Sequence, residues 1–187
     1  MTINFFSMAK VSTRLPGKNT RPMNGRPLYQ YTFDFVKQFR YPYTVITNNE
    51  EISQSAIVQG FRVIRDSERI LALSERDKDV AYAEFLLEEL PSDVYVMLPF
   101  TSPIRVARNL QRDIDTFIAS RFESAYYVWH DDNLTKHALG DAFMFTAKQL
   151  AKGSFRDELS LCFPGLYAFN DINTLEDFQE CERGMRS

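Results

Sequence analysis

Three cations, two hydroxyls and a Pro-Gly turn are packed into Lys10-Val11-Ser12-Thr13-Arg14-Leu15-Pro16-Gly17-Lys18-Asn19, directly behind the apolar run Ile3–Met8. The run reads as a buried strand, and in an α/β sheet ligands sit outside the carboxyl ends of the strands. Ammonium and guanidinium groups gathered with free backbone N–H groups on one short loop suit a polyphosphate. A charged surface turn would share this composition. A phosphate-binding P-loop would not, because it needs Gly five residues before the Gly-Lys pair and Ser or Thr after it. Those positions hold Ser12 and Asn19, which excludes that motif.

Four further segments carry groups able to do chemistry. Val45-Ile46-Thr47-Asn48-Asn49 closes a second apolar run, and Arg65 follows a third. Leu98-Pro99-Phe100-Thr101-Ser102-Pro103-Ile104-Arg105 follows a fourth. Asp171-Ile172-Asn173-Thr174, with Asp177 behind it, precedes a final helical pattern. Singly, each also reads as ordinary punctuation: a turn and helix cap, a solvated arginine, an N-cap.

Taken in order, they carry a resemblance. Ala9–Asn19, followed by Asn24-Gly25-Arg26-Pro27-Leu28, resembles the opening of the sugar-acid cytidylyltransferases, the CMP-N-acylneuraminate and CMP-Kdo synthetases. The Ser-Thr-Arg-Leu-Pro-Gly-Lys core is closer to the Kdo branch, and Asn19 through Leu28 to the neuraminate branch. Leu98–Arg105 is similar to the family's Leu-Gln-Pro-Thr-Ser-Pro-Leu-Arg, and Asp171–Thr174 to its Asp-Ile-Asp-Thr metal motif. The match spans nearly the whole chain, with a gap around 130–140.

The resemblance implies a three-layer, Rossmann-like nucleotidyltransferase fold of the α/β class with a mostly parallel sheet. It implies transfer of CMP from CTP to a 3-deoxy sugar acid of nonulosonate or Kdo type, with release of pyrophosphate. Lys10, Arg14 and Lys18 would embrace the triphosphate, Lys18 at its β/γ end and Lys10 nearer the α-phosphate. Ser12 and Thr13 would donate to phosphate oxygens. Asn19 and Arg65, with the backbone of Met8–Ala9, would read base and ribose. Thr101, Ser102 and Arg105 fall on the substrate side. Asp171 and Asn173 would hold Mg²⁺, and Lys10, Lys18 and Asp171 form the catalytic set.

The departures cluster on the acceptor and metal side. Lys10 stands for the family's Arg, and a point charge does not reproduce bidentate phosphate recognition. Asn173 stands for the second metal-binding Asp, and Pro99 for a substrate-contacting Gln. The family's dimer hairpin around 130–140 is mostly missing, which leaves a homodimer open. Two alternatives follow: a nucleotidyltransferase with another base or acceptor, and a catalytically impaired nucleotide-binding relative. Phe163, Tyr167 and Met144 fall where the family builds its sugar pocket, but core packing explains them equally well. Lys136, His137 and His130 read as loop or structural residues.

The elements that must position these groups alternate along the chain, as in a parallel sheet covered on both faces. Strands are expected at Ile3–Met8, Tyr43–Thr47, Phe61–Ile64, Val94–Leu98, Ser124–Trp129, Asp141–Thr146 and Leu166–Phe169. Helices are expected at Pro27–Lys37, Glu50–Gln59 before Gly60, Lys78–Leu90, Val106–Ser120 and Thr174–Arg183. Asp66–Asp77 and His130–Gly140 read as loops. At 187 residues the chain is one domain, 1–187. A net charge of −3 argues against nucleic-acid binding. Cys162 and Cys181 lack metal-ligand or framework spacing, and no run reaches the length of a membrane span. With no signal-peptide pattern at the start, the expectation is a cytoplasmic protein.

Overall fold

The computed structural model describes residues 1–9, 12, 14–65, 75–130, 136–155, 159–165 and 171–186; at 75–78, 129, 130 and 136–140 it describes backbone alone. The first half contains β1 (Ile3–Ala9), a 3₁₀ turn (Lys18–Thr20), β2 (Pro22–Met23), β3 (Arg26–Pro27) and α1 (Leu28–Val36). It continues with β4 (Tyr43–Thr47), α2 (Glu50–Val58) and β5 (Arg62–Ile64). The second half contains α3 (Glu75–Glu89), β6 (Val94–Met97), α4 (Ala107–Ala119), β7 (Ser124–His130) and β8 (Lys136–Thr146). It ends with α5 (Ala147–Leu150), β9 (Leu161–Pro164) and α6 (Leu175–Gly184).

Seven strands form one sheet in the order β5-β4-β1-β6-β8-β7-β9. Only β8 runs against its neighbours. The central strands are apolar on both sides because both faces are covered. Along β1, Phe5 enters one cluster with Phe33 of α1, Ile52 of α2 and Ile114 of α4. The next residue, Phe6, enters a second cluster with Ala83 and Leu86 of α3 and Leu150 of α5. Val94, Tyr95 and Val96 of β6 alternate in the same way. This is the strand period of two written into a three-layer Rossmann-like architecture.

Aromatic contacts consolidate the first face. Phe33 meets Tyr29, Tyr43, Phe61 and Phe100 in edge-on pairs with ring centroids 5.1–6.1 Å apart. A side chain buried this fully contributes about 1.5–3 kcal/mol by removal from water. A buried Tyr43 hydroxyl donates to Ser7 Oγ at 2.7 Å, and that hydroxyl in turn donates to the Leu98 carbonyl. Burial holds the Tyr43 phenol protonated well above its ordinary range. The relay ties the middle of β1 to the segment that leaves β6.

Several sequence expectations shift. α3 begins at Glu75, three residues before the expected Lys78 and inside the stretch read as a loop; residues 66–74 lie outside the described ones. Pro27 precedes α1 rather than opening it, because Pro22–Pro27 forms a small hairpin around Asn24 and Gly25. Both residues have positive φ, 48° and 80°, as such two-residue turns require.

The stretch 130–140, read as irregular, carries paired backbone where it is described: His130 stands opposite Lys136 and Trp129 opposite His137, while residues 131–135 lie outside the described ones. Its polar side chains hid a ladder made by main-chain groups. A register shift opposite Tyr126 and Tyr127, which pair with Phe143 and Leu139, leaves Gly140, Asp141 and Ala142 as a bulge. The strand after α5 is Leu161–Pro164, parallel to β7, and the expected Leu166–Phe169 lies outside the described residues. Among the described residues no helix is long and apolar enough to cross a membrane.

Candidate functional site

At the carboxyl ends of β1 and β6 the sheet opens into a cavity of about 610 Å³. Its first wall is Met8, Ser12, Arg14, Lys18 and Asn19, the end of β1 and the loop behind it. Pro99, Phe100 and Thr101 form the floor beyond β6. Met97, Phe143 and Phe155 make an apolar wall, and Asp79 of α3 with Ser154 completes the rim.

The basic loop is a chain of tight turns. Ser12 Oγ accepts from the Leu15 amide at 3.2 Å, and the Lys18 amide donates to the Leu15 carbonyl at 3.1 Å. Gly17 takes the left-handed conformation (φ 67°), and its carbonyl accepts from Thr20 and Arg21. Leu15 is the anchor. It is buried with Met23, Leu28, Ile172, Phe178 and Cys181 in a third apolar cluster. Burial pushes the Cys181 thiol up to about 12, as expected of an unreactive packing residue.

The turn at 171–174 closes on this loop. Lys18 Nζ donates to the Ile172 carbonyl at 2.8 Å, and the Ile172 amide donates to the Thr101 carbonyl at 3.0 Å. Arg14 Nη2 donates to Asn173 Oδ1 at 2.7 Å. Asn173 Nδ2 donates to Asp171 Oδ2 at 3.1 Å and to the Asp171 carbonyl at 3.3 Å. Asp177 Oδ2 accepts the amides of Asn173 and Thr174 at 2.8 and 2.7 Å, and Thr174 Oγ1 accepts the Asp177 amide. This reciprocal capping box is the expected start of α6 with Thr174 as its cap.

The electrostatics follow. Burial lowers the Lys18 ammonium below its ordinary range, with Asp171 pulling the other way and Arg14 reinforcing the drop. Burial raises the Asp171 carboxyl, opposed by the Asn173 amide and by Lys18. At Asp177 burial also pushes upward, but the amides and hydroxyl it accepts from outweigh it, and the carboxyl ends below its usual range.

Ser12, Arg14, Lys18, Asn19 and Thr101 thus share one cavity, with Asn173 bonded to Arg14 and Asp171 bonded in turn to Asn173. Ala9 ends β1 beside Thr47 and does not line the cavity. Lys10 and Thr13 lie outside the described residues, as does Tyr167. Ser102 is fully buried behind the cavity floor, its hydroxyl without a described partner. Arg65 stands apart, in an exposed pair with Glu50 at 2.7 Å.

Arg105 is also elsewhere. Its guanidinium donates to the Asp141 carbonyl at 2.6 Å, to Thr32 Oγ1 at 3.1 Å and to the Pro99 carbonyl, over the ring of Phe35. Burial lowers it to about 10. It lines a smaller cavity of about 260 Å³ with Asp113, Tyr127 and Asp141. Phe163 and Met144 pack in the first core cluster. Sequence reasoning missed Asp79, Met97, Phe143, Ser154 and Phe155. An Asp on a charged helix reads as solvated, and Met97 and Phe143 in strands read as core, so no local signal marked them.

Clustered cations, a hydroxyl and an amide facing an apolar wall suit a nucleoside polyphosphate. Among the described residues no group of three or more His, Cys, Asp or Glu side chains could hold a metal ion alone. A hard divalent cation here would take the half-buried Asp171 carboxylate and complete its shell with phosphate oxygens and water, which is how Mg²⁺ is commonly bound.

Comparison with solved structures gives the same fold. CMP:2-keto-3-deoxy-manno-octonic acid synthetase complexed with CTP aligns over 100% of this chain and 99% of its own, with a TM-score of 0.74 and 14% identity. The 4-diphosphocytidyl-2C-methyl-D-erythritol synthase from Anaerococcus prevotii aligns over 100% and 96%, with a TM-score of 0.70 and 13% identity. A cytidylyltransferase from Leptospira borgpetersenii aligns over 97% and 84%, with a TM-score of 0.68 and 19% identity. At such identities the likeness is one of fold. No curated protein matches the sequence. The family model described as Cytidylyltransferase, however, matches residues 10–116, from the basic loop through the cavity floor into α4. The chain therefore belongs to the cytidylyltransferase family.

Proposed function

We propose that this protein is a Mg²⁺-dependent cytidylyltransferase that transfers CMP from CTP to a 3-deoxy sugar acid and releases pyrophosphate. One observation carries the reading: Arg14 and Lys18 line the cavity at the sheet's carboxyl end while both are held by the 171–173 turn. Cations fixed before the substrate arrives stabilise developing phosphate charge without reorganising.

An acceptor hydroxyl attacks the α-phosphorus of CTP, the bond to the β-phosphate oxygen breaks, and pyrophosphate departs with the charge. The protein's part in such chemistry is positioning and neutralisation. Lys18 takes the β/γ end, Arg14 the phosphates beside it, and Lys10 the α-phosphate. Asn19 places a buried Oδ1 with no described partner at the cavity. It suits the exocyclic amine of cytosine, a donor that uracil does not offer. Asp171 would hold Mg²⁺, which when bound offsets charge on the leaving pyrophosphate. Thr101 faces the acceptor, and Ser102 and Arg105 fix the segment that carries it.

The wall formed by Met97, Pro99, Phe143 and Phe155 favours a second reading with the same fold and another acceptor, because it offers few donors to a polyhydroxylated acid. Pyrophosphate release with Mg²⁺, CTP and a panel of nonulosonic acids and Kdo tests the first reading. Release above background with one of them is the expected result. Strong thermal stabilisation by CTP with no turnover on the whole panel would transfer support to the second, and equal stabilisation by all four nucleoside triphosphates would overturn the cytidylyl assignment.

A further inference from the structure

The side chain of Asn173 sits between a guanidinium and a carboxylate. Arg14 donates to its oxygen at 2.7 Å, and its amide nitrogen donates to Asp171 at 3.1 Å. The two neighbours settle which end is oxygen, since the reverse orientation would set N–H against the guanidinium and oxygen against the carboxylate. The carbonyl oxygen through which Asn173 could ligate a cation is thus already engaged by the chain's own arginine.

A carboxylate at 173 would behave differently. It would form a charge-assisted pair with Arg14 and draw that charge away from a bound anion. It would also stand against Asp171, and two carboxylates this close need a cation or a shared proton between them. A triphosphate entering such a site would meet neutralised cations and surplus negative charge unless a divalent ion came with it. The neutral amide keeps the same spacing with a dipole.

We infer that Asn173 is a positioning residue that braces Arg14 without neutralising it, so that this chain binds its nucleotide without requiring Mg²⁺ for the binding step. The inference rests on the proposed CTP site. The brace is built into the fold independently of the side chain's charge. The Asn173 main-chain N–H donates to Asp177, and its neighbour Ile172 is fully buried and bonded to Thr101. Asn173→Asp therefore keeps the main-chain geometry and changes the charge.

Isothermal titration of CTP into the wild type, Asn173→Asp and Asn173→Ala, each in EDTA and in Mg²⁺, tests this, with thermal melts to verify folding. The wild type should bind in EDTA within about threefold of its affinity in Mg²⁺. Asn173→Asp should weaken about tenfold in EDTA, equivalent to about 1.4 kcal/mol, and recover when Mg²⁺ is added. Asn173→Ala should lose the same factor in both buffers. Wild-type binding that vanishes in EDTA, with Asn173→Asp no weaker than wild type there, would overturn the inference and leave the CTP site standing. No wild-type binding in either buffer would overturn the site and the inference together.

Discussion

Replacing Lys18 with methionine removes one charge and keeps a stem of similar length. In the free protein Nζ gives one hydrogen bond to the Ile172 carbonyl at 2.8 Å, and an ammonium has two further protons to offer. An ammonium about 4 Å from a phosphate charge, at an effective dielectric near 20, gains about 4 kcal/mol. Arg14 stays in the same cavity and partly compensates. The net loss expected is about 2–3 kcal/mol, which weakens CTP binding about 30- to 150-fold. The fold loses one charge-assisted hydrogen bond, worth about 1.5 kcal/mol. Titration calorimetry with CTP reads the first effect, and urea unfolding without nucleotide reads the second. A folded Lys18→Met variant whose CTP affinity stays within about threefold of wild type would refute the claim that this cation grips the triphosphate.

Removing the Asp177 carboxylate by Asp177→Ala should cost about 1 kcal/mol from the capping box, seen as a Tm lower by about 2–4 °C, and should also weaken CTP binding because Asn173 loses its main-chain anchor. Arg105→Met should lower the urea midpoint by stranding the acceptors at Thr32, Pro99 and Asp141, on the order of 3 kcal/mol, while CTP affinity of the folded protein changes little. The pH profile of kcat/KM should be narrow on both sides. Asp171 titrates above the ordinary carboxylate range, so a Mg²⁺-dependent rate falls sooner as pH drops. Lys18 titrates below the ordinary lysine range, so triphosphate binding falls sooner as pH rises. Lys18→Arg should extend the alkaline limb, and an unchanged limb would refute the assignment.

The architecture was readable because central strands buried on two faces are written as near-continuous apolar runs, and Ile3–Ala9, Tyr43–Thr47 and Val94–Met97 are of that kind. Helix ends with strong local chemistry were equally plain: Thr174 with Asp177, and Gly60 at a φ of 80° behind α2. What stayed hidden is made by pairing rather than by side-chain type. The β7–β8 ladder through His130 and Lys136 is polar, and the bulge at Gly140–Ala142 exists only as a mismatch between two strands. At the site, Arg14, Lys18 and Thr101 could be placed from the loops that carry them. The amide of Asn173 could not be assigned to Arg14 from sequence, because that contact depends on how two distant turns meet. Arg105 misled because its motif fixes its position in the chain and says nothing of which way the side chain folds back.

The hydrogen bonds that hold Arg14 and Lys18 span 159 and 154 residues of chain. Closing so long a loop costs entropy that only later contacts return, and contacts of this kind form late in folding. A partly folded intermediate would therefore carry the sheet, its aromatic face and a loose basic loop with no grip. Nucleotide added during refolding should be captured only in the final kinetic phase, after intrinsic aromatic fluorescence has largely settled, so competence for the ligand becomes a clock for completion of the chain's own assembly.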